Sequence, residues 1–230
     1  MTAIAVIRTP NQIVIAADSG VVDQKGLSLA SACKIKNLGA VFAVLNGMSS
    51  HDPTGFDVFE ILKMVVRDVP LQQIVESVDK LIRKPLRVAL EYERTHDPVS
   101  FKKNAIDMAP LAITLARVQN RVPVMANLEF AVSSEQDDPL ILNTEKMYSP
   151  DPNVPDTEYA FIFVGTSEGK EQYSRLVRQR GFLHDNKLIE ITKAFVQMEI
   201  DKGLPQFGPP INILQLTKDG ARWIQKSKDC

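Results

Sequence analysis

Thr2 stands second in the chain and carries a hydroxyl; loss of Met1 would give the same residue a free α-amine. A threonine hydroxyl is a poor nucleophile until a base takes its proton, and an N-terminal amine can be that base. Such an amine titrates near about 7.7–8.0, so a useful fraction is neutral at physiological pH. Both groups ride on one residue, which leaves little orientational entropy to lose on the way to reaction. The scheme requires removal of Met1, which a small residue at position 2 favours; a retained Met1 would block Thr2. The other reactive side chains offer less. His51, His96 and His184 have no partner spacing for a metal or for a hydroxyl–histidine–carboxylate triad, and read as surface or loop histidines. Cys33 and Cys230 are the only cysteines, too few for a disulfide framework and without metal-ligand spacing. They fit a reducing, cytoplasmic setting. Cys33, next to Lys34, reads as a small packing residue rather than a low-pKa thiol. No metal and no cofactor is expected.

The elements that must hold such a site are legible from periodicity. The apolar runs 3–8 and 12–18, separated by Thr9-Pro10-Asn11-Gln12, predict a hairpin, and 27–37 with 40–46 predict a second pair around Asn37-Leu38-Gly39. Helical spacing follows over 55–69 and again from 71 to about 96, where Pro85 should kink or split the helix. Strands are predicted at 111–118 and 122–132, loop with an edge hairpin around Leu140-Ile141-Leu142 over 133–158, and a buried strand at 159–164. Helices over about 169–180 and 187–202 precede a hairpin of 211–217 and 221–224. Strands cluster with strands and helices come in pairs, whereas a parallel α/β chain would alternate them singly. The simplest architecture is α+β: two mostly antiparallel sheets face to face with a helix pair on each outer face. With no repeat, low-complexity tract or linker, residues 1–230 read as one domain.

Composition bounds the function. The 230 residues are 44% hydrophobic and 24% charged, which excludes collagen-like, mucin-like and disordered classes. Basic and acidic residues number 27 and 28, for a net charge of −1, so no global field draws nucleic acid or anionic lipid. Arg175, Arg178 and Arg180 read as a solvated face or a subunit contact. No apolar run is long enough for a transmembrane helix, and the first residues lack the basic start and long apolar run of a secretory signal. No nucleic-acid or membrane partner is expected.

Four segments resemble a known family: Thr2-Ala3-Ile4-Ala5-Val6, Val14-Ile15-Ala16-Ala17-Asp18-Ser19, Ala32-Cys33-Lys34-Ile35 and Val44-Leu45-Asn46-Gly47. They look like the opening of a proteasome β-type subunit and of the bacterial ring proteases of the same fold, all N-terminal nucleophile (Ntn) hydrolases. In that family the nucleophilic threonine is followed sixteen positions later by an aspartate and thirty-two later by a lysine. Here Thr2, Asp18 and Lys34 stand at those spacings without a gap. Taken singly, Asp18 reads as a turn residue before Ser19-Gly20 and Lys34 as a solvated strand position. The joint spacing favours the triad. The wider element order extends the resemblance over most of the chain, and implies a four-layer αββα sandwich.

The resemblance implies roles. Lys34 would sit beside Thr2 and lower the amine and hydroxyl pKa values, and Asp18 would hold Lys34 charged and oriented. Gly47 would offer its N–H to the oxyanion of the tetrahedral intermediate, although a plain turn glycine is the competing reading. Gly165-Thr166-Ser167 takes the place of a Gly-Ser-Gly segment whose serine contacts the nucleophile's amine. Thr166 matches that serine but breaks the pattern, and a helix N-cap is the other reading. Asp201 matches a supporting aspartate, while Leu204 departs from the serine that accompanies it. Val21, Ala32 and Asn46 would line an S1 pocket tolerant of apolar side chains. The implied activity is that of a threonine-type endopeptidase. It would cut peptides or unfolded proteins through an acyl-enzyme, in a homo-oligomeric, often stacked ring that commonly works with an unfoldase. A non-catalytic ring subunit and a small-molecule amidase of the same fold are the alternatives. The segment 135–158 exceeds a minimal β-type subunit, and could cap the pore or site or extend the ring interface.

Overall fold

The computed structural model of the protein describes residues 2–22, 28–151, 153, 159–178, 187–228 and 230, with backbone alone at 21–22 and 28–31. Met1, Arg180, His184 and the Val21 side chain lie outside the described residues. The fold is mixed α+β, with two large antiparallel sheets and, among the described residues, five α-helices.

The chain opens with β1 (Ile4–Arg8) and β2 (Gln12–Ala17), an antiparallel hairpin in which Ile4 faces Ala17 and Arg8 faces Ile13. Every residue of both strands is buried, the pattern expected of near-continuous apolar runs covered on both faces. The predicted strand 27–37 is broken. β3 (Gly20–Val22) pairs with β4 (Ser28–Ser31) in a separate ribbon, and only β5 (Ile35–Asn37) joins a large sheet, followed by β6 (Phe42–Gly47). The polar and small residues around 31–34 supply no apolar face to continue a strand. A small ribbon, β7 (Ser50–His51) with β8 (Phe56–Asp57), precedes α1 (Val58–Val65). Asp57 starts α1 late by accepting from the Phe59 and Glu60 amides at 2.7 and 3.2 Å. α2 (Leu71–His96) runs through Pro85 unbroken, its buried stripe continuing at Leu86, Ala89 and Leu90. Burial on both sides outweighs the hydrogen bond that proline removes, a loss of about 3 kcal/mol.

After the short α3 (Pro98–Phe101) come β9 (Leu111–Gln119), β10 (Val122–Val132) and β11 (Leu142–Ser149). The last is an eight-residue strand inside the segment 133–158, part of which was expected to be loop, and it begins at the end of the expected edge hairpin. β12 (Ala160–Val164), α4 (Ser167–Arg178), α5 (Leu188–Asp201), β13 (Asn212–Thr217) and β14 (Gly220–Gln225) complete the chain. The first sheet is ordered β12-β1-β2-β13-β14 and the second β11-β10-β9-β6-β5.

Contacts divide the chain into two compact units. One comprises 1–37, 116–125 and 149–230; the other comprises 38–115 and 126–148. In the first, α5 packs on β1 and β2, and Phe195, Val196, Ile191 and Leu188 bury against Ala3, Ala5, Ile7, Val14 and Ala16. Small residues at alternate strand positions let the helix approach closely. In the second, α1 and α2 pack as a pair.

The cysteines correct the sequence reading. Cys33 and Cys230 form a disulfide, with sulfurs 1.98 Å apart. Cys33 is neither a free thiol nor a plain packing residue, and the observation offered for a reducing compartment is removed. No described helix is long and apolar enough to cross a membrane.

Candidate active site

Asp18 leaves β2 at its last turn of register and is wholly buried, at 0% exposure. Its carboxylate is saturated by four donors. Oδ1 accepts from the Ala3 amide at 2.9 Å and from Lys34 Nζ at 2.7 Å. Oδ2 accepts from the amides of Gly20 at 3.0 Å and Gly208 at 3.1 Å. Asp18 also donates its own amide to the Ala3 carbonyl at 3.1 Å, which continues the β1–β2 ladder. Glycine is required at position 20: a Cβ there would stand 2.6 Å from the Gly208 nitrogen. The turn reading of Asp18 therefore does not describe it, because its carboxylate ties three separate stretches of chain together.

Lys34 is not a solvated strand residue either. It lies between β4 and β5, and its side chain is 12% exposed. Burial pushes its amine below the usual lysine value, and outweighs the attraction and hydrogen bond of Asp18, which push it up. The amide that Asp18 Oδ1 holds is that of the Thr2–Ala3 peptide. Lys34 Nζ therefore lies no farther from that nitrogen than the sum of the two Oδ1 distances. Thr2 is half-buried. Ser19 and Asn212, both wholly buried, continue the wall: Asn212 Nδ2 donates to Ser19 Oγ at 2.8 Å and the Ser227 amide donates to Asn212 Oδ1 at 2.6 Å. Ala32 donates its amide to the Ser19 carbonyl at 2.9 Å.

On the other side of β1, β12 pairs antiparallel with Ile4 opposite Val164. β12 ends at Val164, and Gly165-Thr166 leads from it into α4. Thr166 donates its hydroxyl to Glu199 Oε1 at 2.9 Å and its amide to Glu199 Oε2 at 3.0 Å. Its oxygen accepts from Lys202 Nζ at 2.5 Å and from the Gly169 amide at 3.3 Å. The last contact is the helix-capping bond of the second reading, and it coexists with the others. Lys202 also donates to Glu199 Oε1 at 3.2 Å.

Asp201 is not part of this network. It is exposed and accepts from Gln197 Nε2 at 2.7 Å along its own helix. Two residues along an α-helix turn the side chain by about 200°, so Asp201 and Glu199 face opposite ways. Glu199 is the residue that sequence reasoning missed. Its signal is present: it continues the buried stripe of Leu188, Ile191, Thr192, Phe195 and Val196. A carboxylate on such a stripe must find donors. Room is made for it by glycines: a Cβ on Gly169 would meet Glu199 Oε1 at 2.0 Å, and one on Gly165 would meet its Cδ at 2.9 Å.

Gly47 and Asn46 end β6 in the second unit. Gly47 has φ +94°, and a Cβ there would lie 2.2 Å from the Pro110 carbonyl oxygen, so the backbone itself demands glycine. One histidine differs from expectation and another agrees with it. His51 is buried, its Nδ1 paired with Thr54 Oγ1 at 2.8 Å and its Nε2 with Glu93 Oε1 at 2.9 Å, which ties the 52–54 turn to α2. His96 is exposed and stacks on Tyr92. Arg175 pairs with Glu171 on the exposed face of α4. Among the described residues no group of three His, Cys, Asp or Glu side chains is placed to hold a metal ion.

No protein-family model matches the chain, and no curated protein matches it.

Proposed function

We propose that this chain is a threonine-type peptidase of the N-terminal nucleophile hydrolase class, similar to proteasome β-type subunits, with Thr2 as nucleophile. The four-layer αββα arrangement, the enclosed ring and the peptide or unfolded-protein substrate belong to the same proposal and rest on the sequence resemblance. One observation carries it. A single buried carboxylate oxygen holds both the peptide N–H that follows Thr2 and the amine of Lys34. A purely structural carboxylate at Asp18 has no need of a buried lysine, since three backbone amides already serve it.

The chemistry follows from the groups. The neutral Thr2 amine takes the hydroxyl proton as Oγ bonds to the scissile carbonyl carbon. The tetrahedral intermediate collapses with cleavage of the C–N bond, and the leaving amine departs with that proton. An ester on Thr2 remains. Water then attacks the ester carbonyl, giving up a proton to the same amine, and the C–O bond to Thr2 breaks with the proton returned to Oγ. Lys34 supplies positive charge beside the developing alkoxide, and Asp18 fixes where that charge sits.

Intact-mass measurement tests the premise: the expected species is lighter than the full chain by one methionine. A peptide epoxyketone, which needs both a hydroxyl and an α-amine on one residue, is expected to label the wild type and to leave Thr2→Ala unlabelled. A full-length mass, or persistent labelling of Thr2→Ala, rejects the assignment.

A further inference from the structure

We propose that the Cys33–Cys230 disulfide is a reducible latch, opened by a dithiol, that holds the Asp18–Lys34 pair in place; its coupling to reactivity rests on the reading of Thr2 given above. Cys33 is the residue before Lys34, in the stretch between β4 and β5. The Cα atoms of Cys33 and Cys230 are 4.8 Å apart and successive Cα atoms about 3.8 Å, so Cys230 lies within roughly 9 Å of Lys34, Cα to Cα. The chain after β14 reaches both members of the ion pair through their immediate neighbours. On the Lys34 side the link is covalent. On the Asp18 side it runs through Asn212. The Ser227 amide donates to Asn212 Oδ1 at 2.6 Å, and Asn212 Nδ2 donates to the hydroxyl of Ser19, the residue after Asp18, at 2.8 Å. Ala32 joins the two sides by donating its amide to the Ser19 carbonyl at 2.9 Å. All of these residues belong to the first compact unit.

The bridge keeps Ser227 and Cys230 in a seat that their own polar contacts fill poorly. The Ser227 hydroxyl is buried with no hydrogen-bond partner among the described residues, and a buried polar group left unpaired costs free energy. The Cys230 amide reaches the Ser227 carbonyl only at 3.3 Å. Once the bridge is cut, Ser227 gains by turning its hydroxyl to water, and the stretch 32–34 loses its covalent anchor beside Lys34. The open form has a place for its new thiol: Cys33 Sγ lies 2.9 Å from the Ile35 carbonyl oxygen, an acceptor for an S–H. Cys33 is buried and Cys230 partly exposed, so an outside thiolate attacks the Cys230 sulfur. The S–S bond breaks, Cys33 leaves as a thiolate and takes a proton, and a mixed disulfide remains on Cys230. The second thiol of the reductant attacks that mixed disulfide and releases Cys230 as a thiol. Two electrons pass to the bridge from the dithiol, which ends as a cyclic disulfide.

The test is the acetylation rate of individual lysines in the native full chain, oxidised and after dithiothreitol, followed by peptide mass spectrometry. This readout does not depend on a substrate. Lys34 is expected to react several-fold faster once the bridge is reduced, because access limits a buried amine, and equally fast in Cys230→Ser with or without dithiothreitol. Lys146 and Lys202, held by Asp79 and by Glu199, are expected to keep their rates. A bridge that only stabilises the fold would raise all three together through global unfolding. Epoxyketone labelling of Thr2 is expected to fall several-fold on reduction and to return on reoxidation. A Lys34 rate that reduction leaves unchanged, or a rise shared by all three lysines, overturns the inference and leaves the Thr2 reading standing. Absence of labelling in both forms overturns the Thr2 reading, and the Lys34 rate still decides the latch.

Discussion

Asp18 and Lys34 form one ion pair, yet their substitutions are expected to differ in sign of consequence. Asp18→Asn keeps the shape but not the chemistry. The carboxylate has an acceptor oxygen on each side, one facing Ala3 N–H and Lys34, the other facing the amides of Gly20 and Gly208. An asparagine must turn its NH₂ toward one of these donor pairs, and Lys34 loses its counter-charge while buried. Removing one partner of a buried pair costs about 3–5 kcal/mol. At about 2–4 °C per kcal/mol for a chain of this size, the melting temperature should fall by roughly 6–20 °C. Lys34→Met leaves Asp18 with three backbone donors and replaces a largely buried ammonium by a thioether of similar length. Because burial lowers the Lys34 amine by more than Asp18 raises it, the ammonium is a net burden on the fold. Apolar replacement in such pairs is often neutral or stabilising. Lys34→Met should therefore melt within about 4 °C of wild type, or above it, while losing epoxyketone labelling.

The pH dependence fixes the sign independently. The unfolded chain binds the Lys34 proton up to its ordinary pKa of 10.5, whereas the folded chain releases it at lower pH. In that window the unfolded state holds more protons, so stability from this group rises with pH. Below the folded value the cost of the buried charge is fully present. The advantage of Lys34→Met over wild type should be largest at neutral pH and shrink as pH approaches 10.5. Urea titrations of both proteins from pH 7 to 10 give the difference directly, with all other lysines cancelling. Equal losses of stability in Asp18→Asn and Lys34→Met, or a gap that widens with pH, would refute the reasoning.

Further outcomes are expected at two glycines and at the disulfide. Gly47→Ala combines a positive φ with a Cβ 2.2 Å from Pro110 O and should cost about 2–5 kcal/mol in urea unfolding. Gly39→Ala, at φ +83° but with open space around it, should cost only about 1 kcal/mol. The Cys33–Cys230 bridge closes a loop with a sequence separation of 197. The chain-entropy relation then makes Cys230→Ser less stable by up to about 5 kcal/mol, and iodoacetamide without reductant should add no mass to the native wild type.

What the sequence made legible follows from how local each signal is. The β1–β2 hairpin and the helix stripes rest on periodicity within a few residues, and they appear where expected. Most of β11 carries no strand signal, because its side chains alternate without an apolar face. Lys146 instead reaches Glu76 and Asp79 on α2 at 2.6 and 2.8 Å, and Thr144 donates to Asp79 at 2.9 Å. Burial raises the Asp79 carboxyl, but hydrogen bonds from Lys146, Arg83 and Thr144 outweigh it and hold the group below its usual range. A strand that satisfies a distant helix by charge leaves no hydrophobic pattern. The disulfide was invisible for a related reason: two cysteines 197 positions apart carry no spacing signal. At the end of α5 the expected Asp201 is exposed, and the buried carboxylate two residues earlier, Glu199, lies on the opposite face of the helix.

The two charged pairs share a construction that separates fold from chemistry. Each carboxylate is anchored by donors that belong to the chain itself: three amides for Asp18, and the Thr166 amide and hydroxyl for Glu199. The described donors on each lysine reach mainly that one carboxylate, with Thr166 shared in the second pair. The anions are therefore parts of the scaffold, and losing them leaves backbone donors buried and unmet. The ammonium groups are the members that can change without unravelling the strands. Lysine substitutions should then report on reactivity at nearly constant stability, and carboxylate substitutions on stability first. A sequence that needed only the fold could have put apolar side chains at 34 and 202. That position 34 carries an ammonium held by the same carboxylate oxygen as the Thr2–Ala3 amide is the strongest physical reason to look for chemistry at Thr2.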